Sequence, residues 1–163
     1  MLSAKIGYSK SRDPLFPIII SILVASVLTV YPLSYTFSGW RPCFMFIVML
    51  FWVLCQPTWC GVWFAFATGI FTDLLLDAPL GLNAFSFVVI TFIARYLTRE
   101  RRIMTFMNLW IITILGVTAY LTITFLAHIM SGTDFVFTRH WTPWFPTVVV
   151  WPIFYYVLKR WRI

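Results

Sequence analysis

Long apolar runs separated by short polar segments dominate this chain of 163 residues. A helix needs roughly 20 apolar residues to cross a bilayer, within a working range of about 17–25, and runs near this length recur along almost the whole sequence. The pattern therefore predicts an all-α membrane protein built as a single bundle of six transmembrane helices. The predicted spans are residues 14–35, 42–54, 59–76, 82–97, 106–130 and 144–158.

The second and third spans are predicted to form a helical hairpin. The apolar stretch from Pro42 to Leu76 is too long for one crossing, and it is interrupted at Gln56-Pro57. Proline lacks the amide hydrogen that a continuing helix would use, and it disfavours helix in the residue before it. We therefore place the fold of the hairpin at Pro57.

The first span follows a short basic segment that contains Lys5, Lys10 and Arg12. No cleavage site of small residues closes this span, and it is longer than the apolar core of a signal peptide. The segment is predicted to remain as an uncleaved signal anchor.

The basic residues test this count of spans, because Lys and Arg collect on the cytoplasmic side of a membrane protein. With both termini in the cytoplasm, ten Lys and Arg residues fall on the inner side and two on the outer side. Five or seven spans would reverse the side of one basic cluster. The inner set is Lys5, Lys10, Arg12, Arg95, Arg99, Arg101, Arg102, Lys159, Arg160 and Arg162, and the outer set is Arg41 and Arg139.

Composition excludes several classes of protein. Hydrophobic residues make up 61% of the chain and charged residues 10%, against roughly 45–50% and 25% in soluble domains. These values exclude a soluble globular enzyme, a disordered tail and a disulfide scaffold. The net charge of +7 comes from clusters between apolar runs, so it indicates membrane topology and contact with anionic lipid headgroups, with no nucleic-acid partner.

A stripe of small residues runs along the third span. Gly61, Ala65, Gly69 and Asp73 follow one another at four-residue steps, which places them on one side of a helix. Small residues allow close contact between helices in a membrane. The stripe indicates either packing within this chain or contact with a helix of a partner.

Asp73 is the acidic residue predicted to lie inside a span, where a carboxylate costs roughly 2.5–3.5 kcal/mol even on insertion scales. It therefore needs a partner or water. Arg41 and Asp73 each lie 16 residues from Pro57, on opposite arms of the hairpin, so both are expected near the outer face. We predict that they form a pair or share a water-filled pocket, with Asp77 as the competing partner.

The sequence shows no set of residues that predicts catalysis, a metal site or a cofactor. General acid–base chemistry or metal-assisted hydrolysis would require a second carboxylate, a histidine or a nucleophile at suitable spacing, and no such motif accompanies Asp73. Cys55 and Cys60 lack the spacing of a zinc site. His128 is expected to be a hydrogen-bonded interior residue, and His140 a loop residue at the interface.

The order of several short motifs resembles that of the rod shape-determining protein MreD family. The motifs are Arg41-Pro42, Gly69-Ile70-Phe71-Thr72-Asp73, Pro79-Leu80-Gly81 and Trp151-Pro152 followed by a basic tail. The resemblance covers nearly the whole chain, and one departure is the proline-rich and aromatic segment 143–146. Carried over by position, the matching residues are Arg41, Pro42, Gly69, Asp73, Gly81 and Pro152.

This resemblance implies a non-enzymatic, multi-pass protein of the bacterial inner membrane that belongs to the elongation machinery and maintains cell shape. Its implied partners are an MreC-like bitopic protein, a RodA-like polymerase with its penicillin-binding partner and, indirectly, MreB; a homodimer is a further expectation. It also implies a bundle similar to the substrate-binding subunits of vitamin transporters.

The residues leave a second function open. A small-molecule-binding subunit of a transporter would use a polar pocket near Arg41, Asp73, Asn83 and His128. A membrane-embedded transferase or hydrolase, a third class, lacks its motifs.

Overall fold

The structure is a computed structural model that describes residues 15–31, 40–100, 106–132 and 140–162. These residues form six helices, which we number in chain order. The helices are α1 (Leu15–Val30), α2 (Phe44–Cys55), α3 (Val62–Leu75), α4 (Leu82–Glu100), α5 (Phe106–Met130) and α6 (Trp144–Arg162). The prediction of an all-α chain is confirmed for these residues.

The six helices form a wheel with α2 at its centre. Helix α2 contacts each of the other five helices. Those five form a closed ring around it, in which α1 contacts α3, α3 contacts α4, α4 contacts α5, α5 contacts α6, and α6 contacts α1. The five helices of the ring therefore follow one another in chain order, and α2 is absent from the ring because it lies at its centre.

The composition of α2 explains its central position. Its twelve residues, FMFIVMLFWVLC, include no charged side chain and leave no polar face. A helix that is hydrophobic all round is stable only where it is surrounded. All ten residues from Met45 to Leu54 are buried, and Trp52 is 0% exposed. The indole nitrogen of Trp52 donates a hydrogen bond to Ser21 Oγ of α1 at 2.8 Å, which joins α2 to α1.

The hairpin between α2 and α3 turns where proline predicts it. Helix α2 ends at Cys55, and the turn 56–61 separates it from α3. The amides of Gln56 and Cys60 donate to the carbonyl groups of Trp52 and Gln56, respectively, at 2.8 and 2.9 Å. Part of the backbone of the turn thus has hydrogen-bond partners before α3 begins.

The predicted spans match the helices closely but differ at some ends. The helix starts at 82, 106 and 144 agree with the prediction, whereas α4 extends to Glu100 and α6 to Arg162, beyond the predicted ends at 97 and 158. The predicted end of the first span at 35 lies outside the described residues, as does the basic N-terminal segment. The last helix continues through Pro152, next to the buried Trp151.

By length and hydropathy, α5 is the one described helix that suffices to cross a membrane, with a mean hydropathy of 2.0 over its most apolar window. Helices α1, α2 and α3 and the apolar part of α4 are shorter. The outside of the wheel is nevertheless apolar, with side chains such as Phe16, Val27, Trp63, Phe92 and Leu126 exposed. A contiguous apolar exterior of this kind is typical of a surface that faces lipid or other proteins.

Candidate functional site

The carboxylate of Asp73 caps the start of α4. Asp73 is 0% exposed, and its Oδ2 accepts a hydrogen bond from the amide of Gly81 at 2.9 Å. Its Oδ1 accepts from the amide of Asn83 at 2.9 Å, and Oδ2 also lies 3.4 Å from the amide nitrogen of Ala84. The first amides of a helix have no partner within the helix and carry partial positive charge, so a carboxylate there is stabilising. A residue of α3 thus supplies the cap for α4.

Gly69 brings the two helices close enough for this cap to form. A Cβ atom on Gly69 would lie 2.3 Å from Ala84 Cα and 2.7 Å from Ala84 N, so no side chain fits between the two backbones. Ala84 itself is 0% exposed. Because Gly69 and Asp73 lie one helical turn apart, the close approach and the cap form one unit, which we call the α3–α4 junction. Its members are Gly69, Asp73, Gly81, Asn83 and Ala84.

The turn between these helices needs an unusual backbone. Gly81 has a φ of +100°, a region that side chains other than glycine rarely adopt. Asp77 has a φ of 52°, which is accessible to aspartate and asparagine. Asp77 is exposed, and it does not take part in the cap. Residues 76–81 thus form a turn that brings the amide of Gly81 to the carboxylate of Asp73.

The junction continues across the wheel through Asn83. The Tyr120 hydroxyl of α5 donates to Asn83 Oδ1 at 2.6 Å, and both residues are buried. The Tyr120 ring stacks on Phe46 of α2, with 5.2 Å between centroids, and contacts Phe87 of α4 at 5.7 Å. A continuous set of contacts therefore links α3, α4, α5 and the central helix.

The predicted pair of Arg41 and Asp73 is not formed, and this prediction is wrong. The carboxylate accepts backbone amide hydrogens of α4, and no described residue accepts a hydrogen bond from Arg41 Nε, which is buried. Equal distance from Pro57 predicted that both residues lie near the same end of the hairpin. It did not predict the direction in which each side chain points from its helix axis. Gly81 and the residues after it follow Asp73 closely in sequence, and their amides form the hydrogen bonds with its carboxylate.

Arg41 instead lines a cavity of about 130 Å³ near the start of α2. Helices α1 to α5 all contribute to it, and we call it the Arg41 cavity. Its lining includes Leu28, Thr29, Arg41, Cys43, Thr72, Leu76 and Tyr120. Of the four residues expected to form a polar pocket, only Arg41 is in this lining; Asp73, Asn83 and His128 are not.

Pro42 and Cys43 lead into α2, which is also capped by another helix. The Pro42 carbonyl accepts from the amide of Phe44 at 2.9 Å. The amide of Cys43 donates to Thr147 Oγ1 of α6 at 3.0 Å, and Thr147 is 0% exposed. The entry to the central helix is therefore held by a hydroxyl from the far end of the chain.

The stripe of small residues on α3 packs within the chain. Ala65 is 0% exposed, and Gly69 contacts Ala84 of α4. Gly61 lies at the other end of α3, where a Cβ atom would be 3.3 Å from Arg95 Nη1. The guanidinium of Arg95 also donates to the Pro57 carbonyl at 3.3 Å. The stripe thus faces α4 along its length.

The two histidines lie near the end of α5 at the Arg41 side of the wheel. His128 Nδ1 lies 2.7 Å from the Thr124 carbonyl oxygen, and His140 Nε2 lies 2.7 Å from the Leu121 carbonyl oxygen. Burial lowers the pKa of His140 below its ordinary value of 6.5, and nearby His128 adds to this while the hydrogen bond to Leu121 opposes it. Both rings serve local structure, and within the described residues no cluster of three metal-ligating side chains occurs.

Comparison with known proteins identifies the chain. The family model described as rod shape-determining protein MreD matches residues 11–161. The chain belongs to the MreD family. A curated relative, rod shape-determining protein MreD of Haemophilus influenzae, is 24% identical over 150 residues, which covers 90% of this chain and 91% of the relative. No solved structure matches the chain.

Membership of the MreD family confirms the resemblance seen in the sequence and gives the chain a role in determining rod cell shape. The motif residues of that resemblance have definite places in the wheel. Gly69, Asp73 and Gly81 form the α3–α4 junction, whereas Arg41 and Pro42 line the Arg41 cavity. Pro152 lies in α6, beside the buried Trp151.

Three residues that matter to this MreD-family structure were missed in the sequence. Tyr120 could have been identified from the sequence, since a buried phenolic hydroxyl in an apolar helix usually has a hydrogen-bond partner. Thr147 and Ala84 could not have been identified in this way, because threonine and alanine are ordinary residues in apolar helices. Their importance depends on which backbone lies opposite them.

Proposed function

We propose that this chain is a non-catalytic scaffold of the elongation machinery in the bacterial inner membrane. In this role it spans the membrane six times with both termini in the cytoplasm, and it links an MreC-like protein and MreB to a RodA-like polymerase and its penicillin-binding partner. The observation that carries the proposal is membership of the MreD family over residues 11–161.

The wheel supports six crossings although several helices are short. Helix α2 has 12 residues and α3 has 14, which gives lengths of about 18 and 21 Å against a hydrocarbon thickness of about 30 Å. Helix α2 does not meet lipid, because the ring surrounds it, whereas α3 lies in the ring and requires the bilayer to thin locally around it. The exposed apolar side chains of the ring would meet the lipid instead. In this arrangement the Arg41 end faces the periplasm and the Pro57 end the cytoplasm.

The use of polar groups favours a scaffold over a transport subunit. Pockets for small ligands measure about 300–1,000 Å³ and contain several convergent polar groups. The Arg41 cavity is smaller, at about 130 Å³. A larger space of about 450 Å³ lies at the Pro57 end, but it is a groove whose lining includes the exposed residues Pro57, Phe92 and Tyr96. Asp73 and Asn83, the polar residues expected in a pocket, are instead used inside the α3–α4 junction.

A pull-down of the full tagged chain from its native host in mild detergent tests this proposal. We expect MreC-like and RodA-like proteins to copurify, with no stoichiometric small molecule other than lipid released on denaturation. Recovery of a small molecule together with an ATPase, and of none of the elongation proteins, would refute the scaffold and support a transport subunit.

Reporter fusions test the six crossings separately. A fluorescent protein that folds in the cytoplasm should report at both termini and at Pro57, and a periplasmic phosphatase should report after Asp77. A periplasmic signal at either terminus would rule out this topology while leaving the test of partners unaffected.

A further inference from the structure

We propose that the Arg41 cavity binds the phosphate group of an anionic phospholipid that enters from the side of the wheel. The inference rests on the membrane placement proposed above, and it adds a ligand to the scaffold. It depends on the charge inside the cavity, the place where the cavity opens and the size of the space.

The charge inside the cavity lacks a counterion among the described residues. Arg41 Nε is buried and has no hydrogen-bond partner there. Asp73 is occupied by the amides of α4, and Asp77 is exposed on the following turn. A buried N–H donor without an acceptor is costly, and a guanidinium binds phosphate with charge-assisted hydrogen bonds. An anion that enters the cavity would therefore supply the acceptor that Arg41 Nε lacks among the described residues.

The exposed lining residues of the cavity lie at the C-terminal ends of α1 and α3. Two of its lining residues, Leu28 and Leu76, are exposed, by 37% and 48%. Both are apolar and lie on the outside of the ring, whereas Thr29 and Thr72 lie further in. An opening with apolar sides and a cation inside fits a molecule that has acyl chains and an anionic head. A free inorganic anion would gain nothing from the two leucines.

The size and the depth of the cavity also agree with a lipid headgroup. About 130 Å³ holds roughly four water volumes of about 30 Å³ each, which suits one phosphate group and excludes acyl chains from the interior. Arg41 and Gln56 lie just beyond the two ends of α2, which is about 18 Å long. Since this is less than the hydrocarbon thickness of about 30 Å, a headgroup must be drawn inward to reach Arg41.

Footprinting of Cys43 tests the proposal on the unmodified chain. Cys43 lines the cavity, while Cys55 lies at the other end of α2 and serves as an internal control. The full chain in lipid-free detergent is alkylated, and each cysteine is quantified by peptide mass spectrometry after addition of phosphatidylglycerol, diacylglycerol or inorganic phosphate. We expect phosphatidylglycerol to slow alkylation of Cys43 by about tenfold, with no effect on Cys55 and none from the other two probes.

Variants then assign the effect to the cavity. Arg41→Gln should abolish the protection of Cys43, and Arg95→Gln, which removes an exposed arginine, should leave it intact. Leu28→Trp should weaken protection by blocking the opening while keeping the arginine. The wild-type comparison of three probes stands even if Arg41→Gln does not fold.

Three results would overturn the proposal. Equal protection by diacylglycerol would show simple coverage by acyl chains, and equal protection by inorganic phosphate would show a site for free anions. Protection that persists in a folded Arg41→Gln protein would remove the arginine from the site. Recovery of elongation proteins in the pull-down is independent of these results, so failure of the lipid site and failure of the scaffold remain distinguishable.

Discussion

Replacement of Asp73 by alanine removes the acceptor of three amide hydrogens at the start of α4. Two of these bonds are short, at 2.9 Å, and the third is long, at 3.4 Å. Hydrogen bonds to charged groups contribute about 1.5–3 kcal/mol each, so loss of the two short bonds should lower the free energy of unfolding by about 3–6 kcal/mol. Water cannot easily replace the carboxylate, because Asp73 is 0% exposed.

Asp73→Asn should have a smaller effect than Asp73→Ala. The asparagine keeps one acceptor oxygen, but its NH₂ group faces the amides that Asp73 Oδ1 or Oδ2 had accepted from. We expect about half of the loss, about 1.5–3 kcal/mol. The order of stability is therefore wild type, Asp73→Asn and Asp73→Ala, and this order follows from the geometry of the cap.

Thermal unfolding of the full chain in detergent measures this series. Cys60 is 1% exposed, so its alkylation, quantified by peptide mass spectrometry as temperature rises, reports the loss of the fold. A loss of 3–6 kcal/mol in a chain of this size lowers Tm by on the order of 10 °C. Asp77→Asn is the matched control, because Asp77 is exposed and asparagine tolerates its φ of 52°. A Tm for Asp73→Ala as high as that of Asp77→Asn would refute the cap.

The same assay tests five further substitutions. Gly69→Ala places a Cβ atom 2.3 Å from backbone and should cost at least about 1–3 kcal/mol, whereas Gly116→Ala meets only side-chain atoms at 3.3 Å or more and should cost less. Gly81→Ala should cost about 1–2 kcal/mol because its φ is +100°. Tyr120→Phe loses a buried hydrogen bond of 2.6 Å and should cost about 1–3 kcal/mol. The pKa of His140 is lowered in the folded protein. The contribution of neutral His140 to stability is therefore fully present above about pH 6.5 and is lost as pH falls through the folded-state pKa. Tm should accordingly depend less on pH in His140→Gln.

Local chemistry made most of the secondary structure predictable. Proline disfavours a continuing helix because it lacks an amide hydrogen, and the observed turn contains Pro57. The starts of α4, α5 and α6 follow from changes between polar and apolar residues. The central place of α2 also had a signal, since twelve residues without a polar face require burial on every side.

The contacts between helices were less predictable, because they depend on rotation about each helix axis. The spacing of Arg41 and Asp73 fixed their heights and left that rotation open, so the expected ion pair was wrong. The stripe of Gly61, Ala65 and Gly69 identified a close contact without identifying its partner. The structure assigns that contact to α4, since Gly69 meets Ala84.

Two helices of the wheel begin with a cap that another helix provides. Asp73 of α3 caps α4, and Thr147 of α6 holds the amide of Cys43 at the entry to α2. In an apolar environment, an unpaired amide costs several kcal/mol, so each of these helices depends on its neighbour for its start. Because these polar groups serve internal contacts, a partner on the side of the wheel meets mainly apolar side chains. In the proposed scaffold, recognition of a partner would therefore depend on the shape of this apolar surface.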